Sequence, residues 1–318
     1  MTCLITGLGY VGSAIAQRLL QQGEHVIGIE NFFSTPRSHI ERLQRDAGLQ
    51  VIEGSVANQV TLVRAFEDVE IDTVFHLAGQ ASTHSEAAPL AETERSNYSG
   101  TRMLLEACAE RRIRNVVIAS STRLYATPLP RQLTEEAPLR PRDPVHLSHL
   151  YGEILLERLA REAPVASWMA LRLGTVHGLS PVMKTDERFM AVPQRFCWDA
   201  AHRRPLHVAT GPEAFVALAH INDVVEAFLH SREHPILGSV ANVASEVRSV
   251  AEIAEVVTEE AGERGIDASV RHWGRPRSGP QRTVSSALEA TGFRPAGRIE
   301  DSVGAVLDYY ISVARSGR

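Results

Sequence analysis

The amino-terminal segment places a glycine-rich turn between an apolar strand and the start of a helix. Residues 2–12 read TCLITGLGYVG, with the spacing Gly7-x-Gly9-x-x-Gly12. Gly7 permits a tight turn, Gly9 allows backbone to approach a pyrophosphate, and Gly12 lets the helix pack closely on the strand. The positive end of the helix favours phosphate at the same place. The segment therefore predicts a dinucleotide-binding βαβ unit.

A second apolar run, HVIGI, follows the predicted helix and ends at Glu30. A carboxylate at this distance from the glycine turn can bind the ribose hydroxyls and repels the 2′-phosphate of NADP. NAD is therefore the predicted cofactor. Arg37 lies close enough in sequence to leave NADP open, and a solvated loop position is the other interpretation of that arginine.

The composition is that of an ordinary globular protein. The chain has 318 residues, of which 44% are hydrophobic and 22% charged, a length that suits one large or two interlocked domains. The net charge of −5 is spread without basic runs, so neither nucleic acid nor a membrane is an expected partner. Because the first strand begins at residue 2 and no long apolar run follows, we expect a cytoplasmic protein.

The sequence does not predict a metal site or a disulfide. Cys3, Cys108 and Cys197 are far apart and odd in number, which favours buried, reduced thiols. His146 with His149, and His230 with His234, have helical spacing, but no cysteine or carboxylate cluster completes either pair.

Apolar runs alternate with helical patterns through the first half of the chain. The predicted strands lie near 2–6, 25–30, 49–53, 72–77, 115–119 and 167–173. Such alternation predicts an α/β fold, a Rossmann-type doubly wound parallel sheet with helices on both faces. We expect an NAD-binding domain over 1–173, to which 218–245 return. Residues 174–217 and 246–318, punctuated by prolines, are then a smaller, interleaved C-terminal substrate-binding part.

Further motifs follow the glycine turn in a fixed order. They are VFHLAGQAS at 74–82, NYSGTRMLLEAC at 97–108, VVIASSTRLYA at 116–126, LRLGTVHGLSP at 171–181, HINDVVEAF at 220–228, RPRSG at 275–279 and TGFRPAGRIEDSVGAVLDYY at 291–310. In this order the chain resembles the extended short-chain dehydrogenase/reductase family, in particular its NAD-dependent sugar-nucleotide epimerases and dehydratases. The glycine turn departs from the family's usual TGxxGxxG, because TGxGxxG is one residue shorter.

The resemblance implies an NAD site built from several of these segments. Besides the three glycines and Glu30, the implied cofactor contacts are Tyr10, Val11, Asn31, Ser55, Val56, Leu77, Ala78, Gly79, Asn97 and Ser120. It also implies a homodimer, because family members often pack two long helices, here 88–111 and 147–162, into a four-helix bundle.

The family's catalytic motif, Tyr-x-x-x-Lys, has no intact counterpart in this chain. The corresponding region, residues 144–160, reads PVHLSHLYGEILLERLA and contains no lysine. When the family's helix glutamate is matched to Glu157, His149 takes the tyrosine position and Glu153 the lysine position. Imidazole is a credible base, and Glu153 one turn later could favour its charged form.

A second alignment matches the Tyr-Gly pair to Tyr151-Gly152 and puts Leu155 at the lysine position. A phenol with an ordinary pKa near 10 and no ammonium neighbour is a poor base at neutral pH. We therefore favour His149 over Tyr151. A third interpretation is that neither side chain is catalytic and the site is disabled.

The family's catalytic Ser/Thr hydroxyl, unlike its Tyr-x-x-x-Lys motif, has a counterpart in this chain. Aligned back from Leu124-Tyr125, Ser121 matches the family's Ser/Thr and can bond the reacting oxygen. Thr122 occupies the position where dehydratases often carry an acid, and Thr122-Arg123 does not supply their Asp-Glu pair. Water elimination is therefore disfavoured, and Arg123 becomes a candidate for a substrate carboxylate or phosphate.

Several positions that bind the substrate in the family carry different residues in this chain. Thr175 replaces the asparagine of Arg-x-x-Asn-Val-Tyr-Gly, and Val216 replaces an arginine that usually grips the nucleotide diphosphate. Arg277 matches the second phosphate-binding arginine, and Gln80 is a further candidate substrate contact. A nucleotide sugar is the favoured small-molecule substrate, with a phosphorylated or carboxylated compound lacking a nucleotide as the alternative.

Together these features favour an NAD-dependent epimerase/dehydratase-like enzyme that acts on a nucleotide sugar by redox-neutral hydride transfer. Its catalytic residues would be Ser121 and His149, aided by Glu153. Two alternatives stay open: an NAD(H)-dependent reductase of a non-nucleotide ketone, and an NAD-binding protein without catalysis.

Overall fold

Seven parallel strands form the central sheet of the computed structural model, which confirms the predicted doubly wound α/β class. The structure describes residues 1–67, 69–82, 89–162, 167–208, 214–234, 239–272 and 281–316. The strands of the central sheet are β1 Thr2–Thr6, β2 His25–Glu30, β3 Gln50–Glu53, β4 Thr73–His76, β5 Asn115–Ser121, β7 Ser167–Leu173 and β11 Ser239–Val243. The numbering follows chain order and includes the strands of the smaller sheets. The spatial order in the central sheet is β3-β2-β1-β4-β5-β7-β11.

The helices lie around this sheet and beyond its carboxyl edge. They are α1 Tyr10–Gln21, α2 Arg37–Ala47, α3 Gln59–Phe66, α4 Leu90–Thr93, α5 Thr101–Glu110, α6 Pro144–Glu162, α7 Val192–Ala201, α8 Ile221–Glu233, α9 Val250–Glu263 and α10 Glu300–Ser316. A π-helical segment, Glu94–Gly100, joins α4 to α5. Such wide turns occur preferentially at functional sites.

Two apolar clusters cover the two faces of the sheet. On one face, α1 and α8 bury Ile15 and Phe228 with Phe75 of β4, whose ring lies 5.6 Å from that of Phe228. On the other face, α5 and α6 bury Leu104 and Leu156. Because both faces are covered, the strands consist of nearly continuous apolar residues, and this pattern made them predictable.

The remaining strands form smaller sheets. They are β6 Gln132–Leu133, β8 Thr175–His177, β9 Leu206–Val208, β10 Phe215–His220, β12 Glu246–Ser249, β13 Val270–His272 and β14 Thr283–Val284. β10 lies between antiparallel β12 and parallel β8, while β9 pairs with β13 and β6 with β14. Helices α7, α9 and α10 share a third apolar cluster that includes Phe196, Ile253 and Tyr310.

The chain returns to the first half of the molecule after β10. Helix α8 packs against the central sheet, and β11 pairs with β7 as its last strand. A segment over 218–245 that returns to the first domain is expected to make these contacts. The exact division of the chain into domains stays a prediction.

The strand order reverses direction beside β1. From β1 the chain moves outward to β2 and β3, and then crosses to β4 on the other side. The carboxyl ends of β1 and β4 therefore border a crevice, which is where open α/β sheets bind their ligands.

The described residues contain neither a membrane-spanning helix nor a metal-binding cluster. None of the helices described there is long and apolar enough to cross a bilayer. The same residues contain no group of three or more metal-ligating side chains. All three cysteines are buried and free.

We predict that His76 makes the fold sensitive to acid. Its imidazole is buried between Thr6 Oγ1 and Thr101 Oγ1, at 2.6 and 2.9 Å, and burial lowers its pKa to about 4. The unfolded chain binds a proton near pH 6.5, whereas the folded chain does not until about pH 4. Stability is therefore lost as pH falls between these values, by at most about 3 kcal/mol for this residue.

The measurement is chemical unfolding at a series of pH values. His76→Gln should flatten the slope between pH 6.5 and 4, and His25→Gln, at an exposed position, should leave it unchanged. An unaltered slope in His76→Gln would contradict the prediction.

Candidate active site

A pocket of about 380 Å³ lies at the crevice between β1 and β4. Every residue that the sequence analysis named as a cofactor contact lines it, from the glycine turn to Ser120. Ser121 and His149 line it as well, so the pocket joins the predicted cofactor cradle to the predicted catalytic groups.

The glycine turn has the geometry that its sequence predicts. Gly7 has φ +79°, and a Cβ there would lie 2.7 Å from the backbone of Ala78. A Cβ on Gly12 would lie 1.9 Å from the carbonyl oxygen of Gly7. A side chain at either position would therefore displace the turn. A Cβ on Gly9 would project into open space, and its nearest neighbour would be Thr35 Oγ1 at 3.7 Å.

The start of α1 is suited to an anion. Gly9 caps the helix without a side-chain hydrogen bond, and the first turn holds no acidic residue. Its backbone N–H groups and the helix dipole thus face the pocket without a competing negative charge. This arrangement fits the pyrophosphate of a dinucleotide.

Glu30 supports the turn from the end of β2. Its carboxylate is buried and accepts hydrogen bonds from Leu8 N at 2.8 Å and Phe32 N at 2.9 Å. Burial raises the pKa of Glu30, although these backbone donors oppose the shift. The carboxylate thus fixes the loop and still lines the pocket, where its remaining lone pairs can accept from ribose hydroxyls.

Arg37 is occupied by a neighbouring carboxylate. Its guanidinium forms two hydrogen bonds to Glu53 and lies over the ring of Phe32, 4.1 Å from the centroid. An arginine already paired in this way is less available to a 2′-phosphate. The solvated-loop interpretation of Arg37 therefore fits the structure better than an NADP contact.

Asn97 holds the loop after β4. It lies in the π-helical segment, where Oδ1 accepts from Gln80 N at 2.7 Å and Nδ2 donates to the Gln80 carbonyl at 2.9 Å. Nδ2 also lies 3.0 Å from Ser148 Oγ on α6. Asn97 therefore connects the pocket loop to the helix that carries His149.

His149 is a neutral imidazole in this setting. Burial lowers its pKa to about 4, and the nearby Glu153 charge raises it less than burial lowers it. The Ala119 carbonyl accepts a hydrogen bond from the ring. Glu153 thus favours the charged form of His149, as expected, but the cost of desolvating the imidazolium is larger and keeps the ring neutral.

Glu153 makes a buried ion pair with Arg172 instead. Arg172 Nε lies 2.9 Å from Oε1 and Nη2 lies 2.8 Å from Oε2, and both side chains are almost fully enclosed. Ser120 Oγ also donates to this carboxylate. Glu153 does not line the pocket, so the structure gives it a supporting position behind Ser120 and His149.

Tyr151 lies on another face of α6. Its ring packs 5.3 Å from that of Tyr98, and it is not part of the pocket lining. Successive helical residues are about 100° apart, so Tyr151 and His149 point in different directions. The structure thus places His149, and not Tyr151, in the lining of the pocket to which Ser121 also belongs.

Several other predicted residues lie beside the pocket and not in its lining. Thr122 Oγ1 donates to the Leu173 carbonyl at 3.2 Å, and Thr175 lies in β8 opposite Leu218. Arg123 is exposed on the turn after β5. Gln80 does line the pocket, but its side chain bonds the backbone of Ser82. Arg277 lies outside the described residues.

Lys184 was not among the site residues predicted from the sequence. Lys184 follows β8 and lines the pocket, and Nζ donates to the Phe189 carbonyl at 2.7 Å. A signal for it exists, because this is the only lysine among 318 residues. Its place in an irregular segment left no periodicity from which its position could be derived.

The fold and site define a Rossmann-type dinucleotide-binding protein. The chain belongs to the NAD dependent epimerase/dehydratase family, whose model matches residues 3–244. This match confirms the family resemblance, and NAD is the cofactor of that enzyme family. The residues of the pocket fit such a group, with an uncapped helix start, an open space over Gly9 and a carboxylate at the end of β2.

Named relatives agree with this assignment. The UDP-glucose 4-epimerase of Bacillus subtilis (strain 168) is 29% identical over 172 residues, 52% of this chain and 49% of the relative. The chain thus spans about half the length of the curated relatives it matches. Among solved structures, UDP-glucose 4-epimerase of Thermotoga maritima with UDP-glucose has a TM-score of 0.82 at 23% identity, covering 99% of this chain and 100% of that one.

A second solved structure is the UDP-glucuronic acid 4-epimerase of Bacillus cereus in complex with UDP-glucuronic acid and NAD. Its TM-score is 0.80 at 23% identity, covering 98% of this chain and 100% of that one. At these identities the likeness establishes the shared fold.

We predict that an added methyl group has different effects at Gly9 and at Gly12. Gly12→Ala should lower the free energy of unfolding by about 1–3 kcal/mol and weaken NAD binding, because its Cβ collides with the Gly7 carbonyl. Gly9→Ala should leave stability nearly unchanged but raise the Kd for NAD at least about tenfold, since its Cβ projects into open pocket space.

Chemical unfolding and calorimetric titration with NAD measure the two effects. Gly262→Ala, where no atom lies within 4 Å of the added Cβ, is the control and should bind NAD like the parent. Unchanged NAD affinity in Gly9→Ala would mean that the pyrophosphate does not pass over this turn.

Proposed function

We propose that the protein is an epimerase that acts on a nucleotide sugar by redox-neutral chemistry, with a histidine in place of the family's tyrosine. The observation that carries the proposal is the convergence of His149 and Ser121 in the pocket that contains the glycine turn. When bound, NAD supplies the hydride acceptor and donor. The names of the relatives, UDP-glucose and UDP-glucuronic acid 4-epimerases, support the choice of substrate class.

His149 would move the proton. A neutral imidazole can accept the proton of a substrate hydroxyl as the carbon beneath it is oxidised, and return it when the carbon is reduced. Its low pKa makes it a weak base, but also keeps it unprotonated throughout the neutral range. Glu153, paired with Arg172, would act only as support.

Ser121 would orient the reacting oxygen. Its Oγ accepts a hydrogen bond from Arg123 N at 3.2 Å, which leaves the hydroxyl proton available to a substrate oxygen. Donation from one side and acceptance by His149 from the other would fix the hydroxyl for proton transfer. Thr122, already bonded to a backbone carbonyl, has no part in this scheme.

The proposed binding of the substrate's nucleotide has less support than the proposed proton transfer. Val216, in β10, offers no phosphate contact where the family has arginine. Contacts from Arg277, Gln80 and Thr175 stay predictions. A reductase of a non-nucleotide ketone, and an NAD-binding protein without turnover, are the outcomes against which the proposal is tested.

We predict that His149 and Tyr151 differ sharply in their effect on turnover. His149→Ala should lower kcat at least about 100-fold, the usual contribution of a positioned acid–base group. Tyr151→Phe, a matched change of one ring on the same helix, should retain nearly full activity. Interconversion of epimers is followed by NMR with UDP-glucose and with UDP-glucuronic acid, in protein loaded with NAD.

The dependence of the reaction rate on pH tests the assignment of His149 independently. Because burial lowers the pKa of His149 to about 4, the rate should be level at neutral pH and fall only as pH approaches 4. Full activity in His149→Ala, or its loss in Tyr151→Phe, would overturn the assignment. Stoichiometric NADH consumption would indicate a reductase, and bound NAD without turnover would indicate a non-catalytic protein.

We also propose that the protein is a homodimer. Three exposed apolar side chains, Leu90, Leu147 and Ile154, lie on the helices that the family resemblance implies for dimerisation. Leu147 and Ile154 share a face of α6 with Tyr151, at positions i, i+7 and i+4. A second copy would cover this surface. The expected cytoplasmic location stays a prediction.

Ile154→Asp should convert the dimer to a monomer, because it places a charge in the middle of the proposed apolar interface. Val60→Asp is the matched control, since Val60 is an equally exposed apolar residue on α3. Sedimentation velocity distinguishes the two. A monomeric parent protein, or a dimeric Ile154→Asp variant, would exclude this interface.

A further inference from the structure

The connection between β8 and α7 forms one wall of the pocket. Most of residues 182–191, which we call the strap, line it. The strap is anchored at Lys184, whose carbonyl accepts a hydrogen bond from Tyr310 Oη of α10 at 2.9 Å. Lys184 Nζ donates to the Phe189 carbonyl at 2.7 Å. The strap is therefore tied to α10 at one point and folded back on itself at another.

The strap also contacts the loops that follow β2 and β4. The ring of Phe189 meets the ring of Phe33, three residues after β2, with centroids 6.4 Å apart and planes at 87°. Attractive edge-to-face pairs have centroids about 4.5–7 Å apart. Ser82 Oγ, in the loop after β4, donates to the Arg188 carbonyl at 2.9 Å. Since β2 and β4 lie on either side of β1, the strap crosses over the carboxyl end of β1 and its glycine turn.

The loop after β2 is held in a strained conformation next to Phe33. Phe32 has φ +57°, in the left-handed region that residues other than glycine rarely adopt. Its N–H donates to Glu30 at 2.9 Å, and the Arg37 guanidinium, itself bonded to Glu53, lies over its ring. Strain that the surroundings maintain in this way is concentrated at ligand sites. The loop thus holds Phe33 at the rim of the pocket.

The contact between Phe33 and Phe189 is peripheral. Phe33 is 48% exposed, although both rings line the pocket. Neither ring belongs to the apolar clusters formed by the described residues. Segments with few buried contacts open locally at low cost. The two rings can therefore separate without disturbing the core.

From this arrangement we infer that Phe33 and Phe189 form an aromatic gate, and that NAD enters and leaves the pocket only when the two rings separate. The start of α1 receives the pyrophosphate, and the strap crosses the cofactor at that point. Closure of this kind keeps a ligand in place between openings of the gate. The inference concerns the cofactor alone and depends neither on the sugar nor on the proposed reaction.

Opening the gate should accelerate binding and release alike. Phe189→Ala should raise both the association and the dissociation rate constant for NADH at least about tenfold and change Kd less than about threefold, because a gate obstructs passage in both directions. Stopped-flow measurement of nicotinamide fluorescence gives both constants. NADH is first mixed with protein freed of cofactor and is then displaced by excess NAD, so the measurement does not require turnover.

Matched variants separate the gate from a general loosening of the pocket. Phe33→Ala removes the other ring, on a different segment, and should have the same effect as Phe189→Ala. The double variant should be no faster than either single variant, because each substitution alone already breaks the pair. Leu179→Ala is the control, since Leu179 is 47% exposed on the same connection from β8 and lies outside the pocket lining. It should change neither rate constant.

A covalent bridge tests the closed state. Phe33→Cys combined with Phe189→Cys, joined by a short bismaleimide after NADH has bound, should slow NADH release at least about tenfold relative to the same protein without the bridge. The three native cysteines are buried, so the reagent reaches the introduced thiols.

Two kinds of result would overturn the gate. Faster release of NADH from Phe189→Ala with unchanged association, and a Kd raised in proportion, would make Phe189 a direct contact of the cofactor. Unchanged rate constants in both single variants, or release that the bridge does not slow, would mean that the cofactor passes elsewhere.

Discussion

The buried ion pair between Glu153 and Arg172 determines how the site is arranged. It joins α6 to β7 with two charge-assisted hydrogen bonds, while Arg172 Nη1 also donates to Tyr125 Oη at 2.9 Å. Ser120 in β5 bonds the same carboxylate. A buried pair of this kind is held in place because losing either partner leaves an uncompensated charge, at a cost of about 3–5 kcal/mol. Three elements that border the pocket are thereby fixed relative to one another.

The charge state of His149 is set by burial. Glu153, although paired with Arg172, still raises the pKa of His149, but less than burial lowers it, so the imidazole is neutral. The family's tyrosine depends on a lysine one turn later. In the proposed mechanism, Glu153 would take the lysine position and support the helix through Arg172, and His149 would act as a neutral base.

The sheet and the cofactor cradle could be predicted from local sequence patterns. Apolar runs such as HVIGI mark strands buried on both faces, and the spacing of Gly7, Gly9 and Gly12 describes a single turn. The helical period could also have excluded Tyr151, because Leu147, Tyr151 and Ile154 form one face of α6 and Ser148, Gly152 and Glu153 another.

The partner of Glu153 could not be found in this way. Helical spacing places His149 within one turn of Glu153, but it contains no information on Arg172, which approaches from a strand 19 residues later. The same holds for Lys184, which an irregular segment brings to the pocket. Contacts between elements decide both positions, and no periodicity encodes them.

Most charged side chains of the pocket lining already have partners within the protein. Glu92 is paired with Arg95 and Asp186 with Arg188, while Glu30 accepts two backbone hydrogen bonds. Among the described lining residues, Lys184 is the charged group for which the protein supplies only a carbonyl partner. The start of α1 offers backbone N–H groups with no side-chain charge. The lining therefore presents donors of two kinds, the N–H groups of a helix start and one ammonium, and both favour anionic ligands.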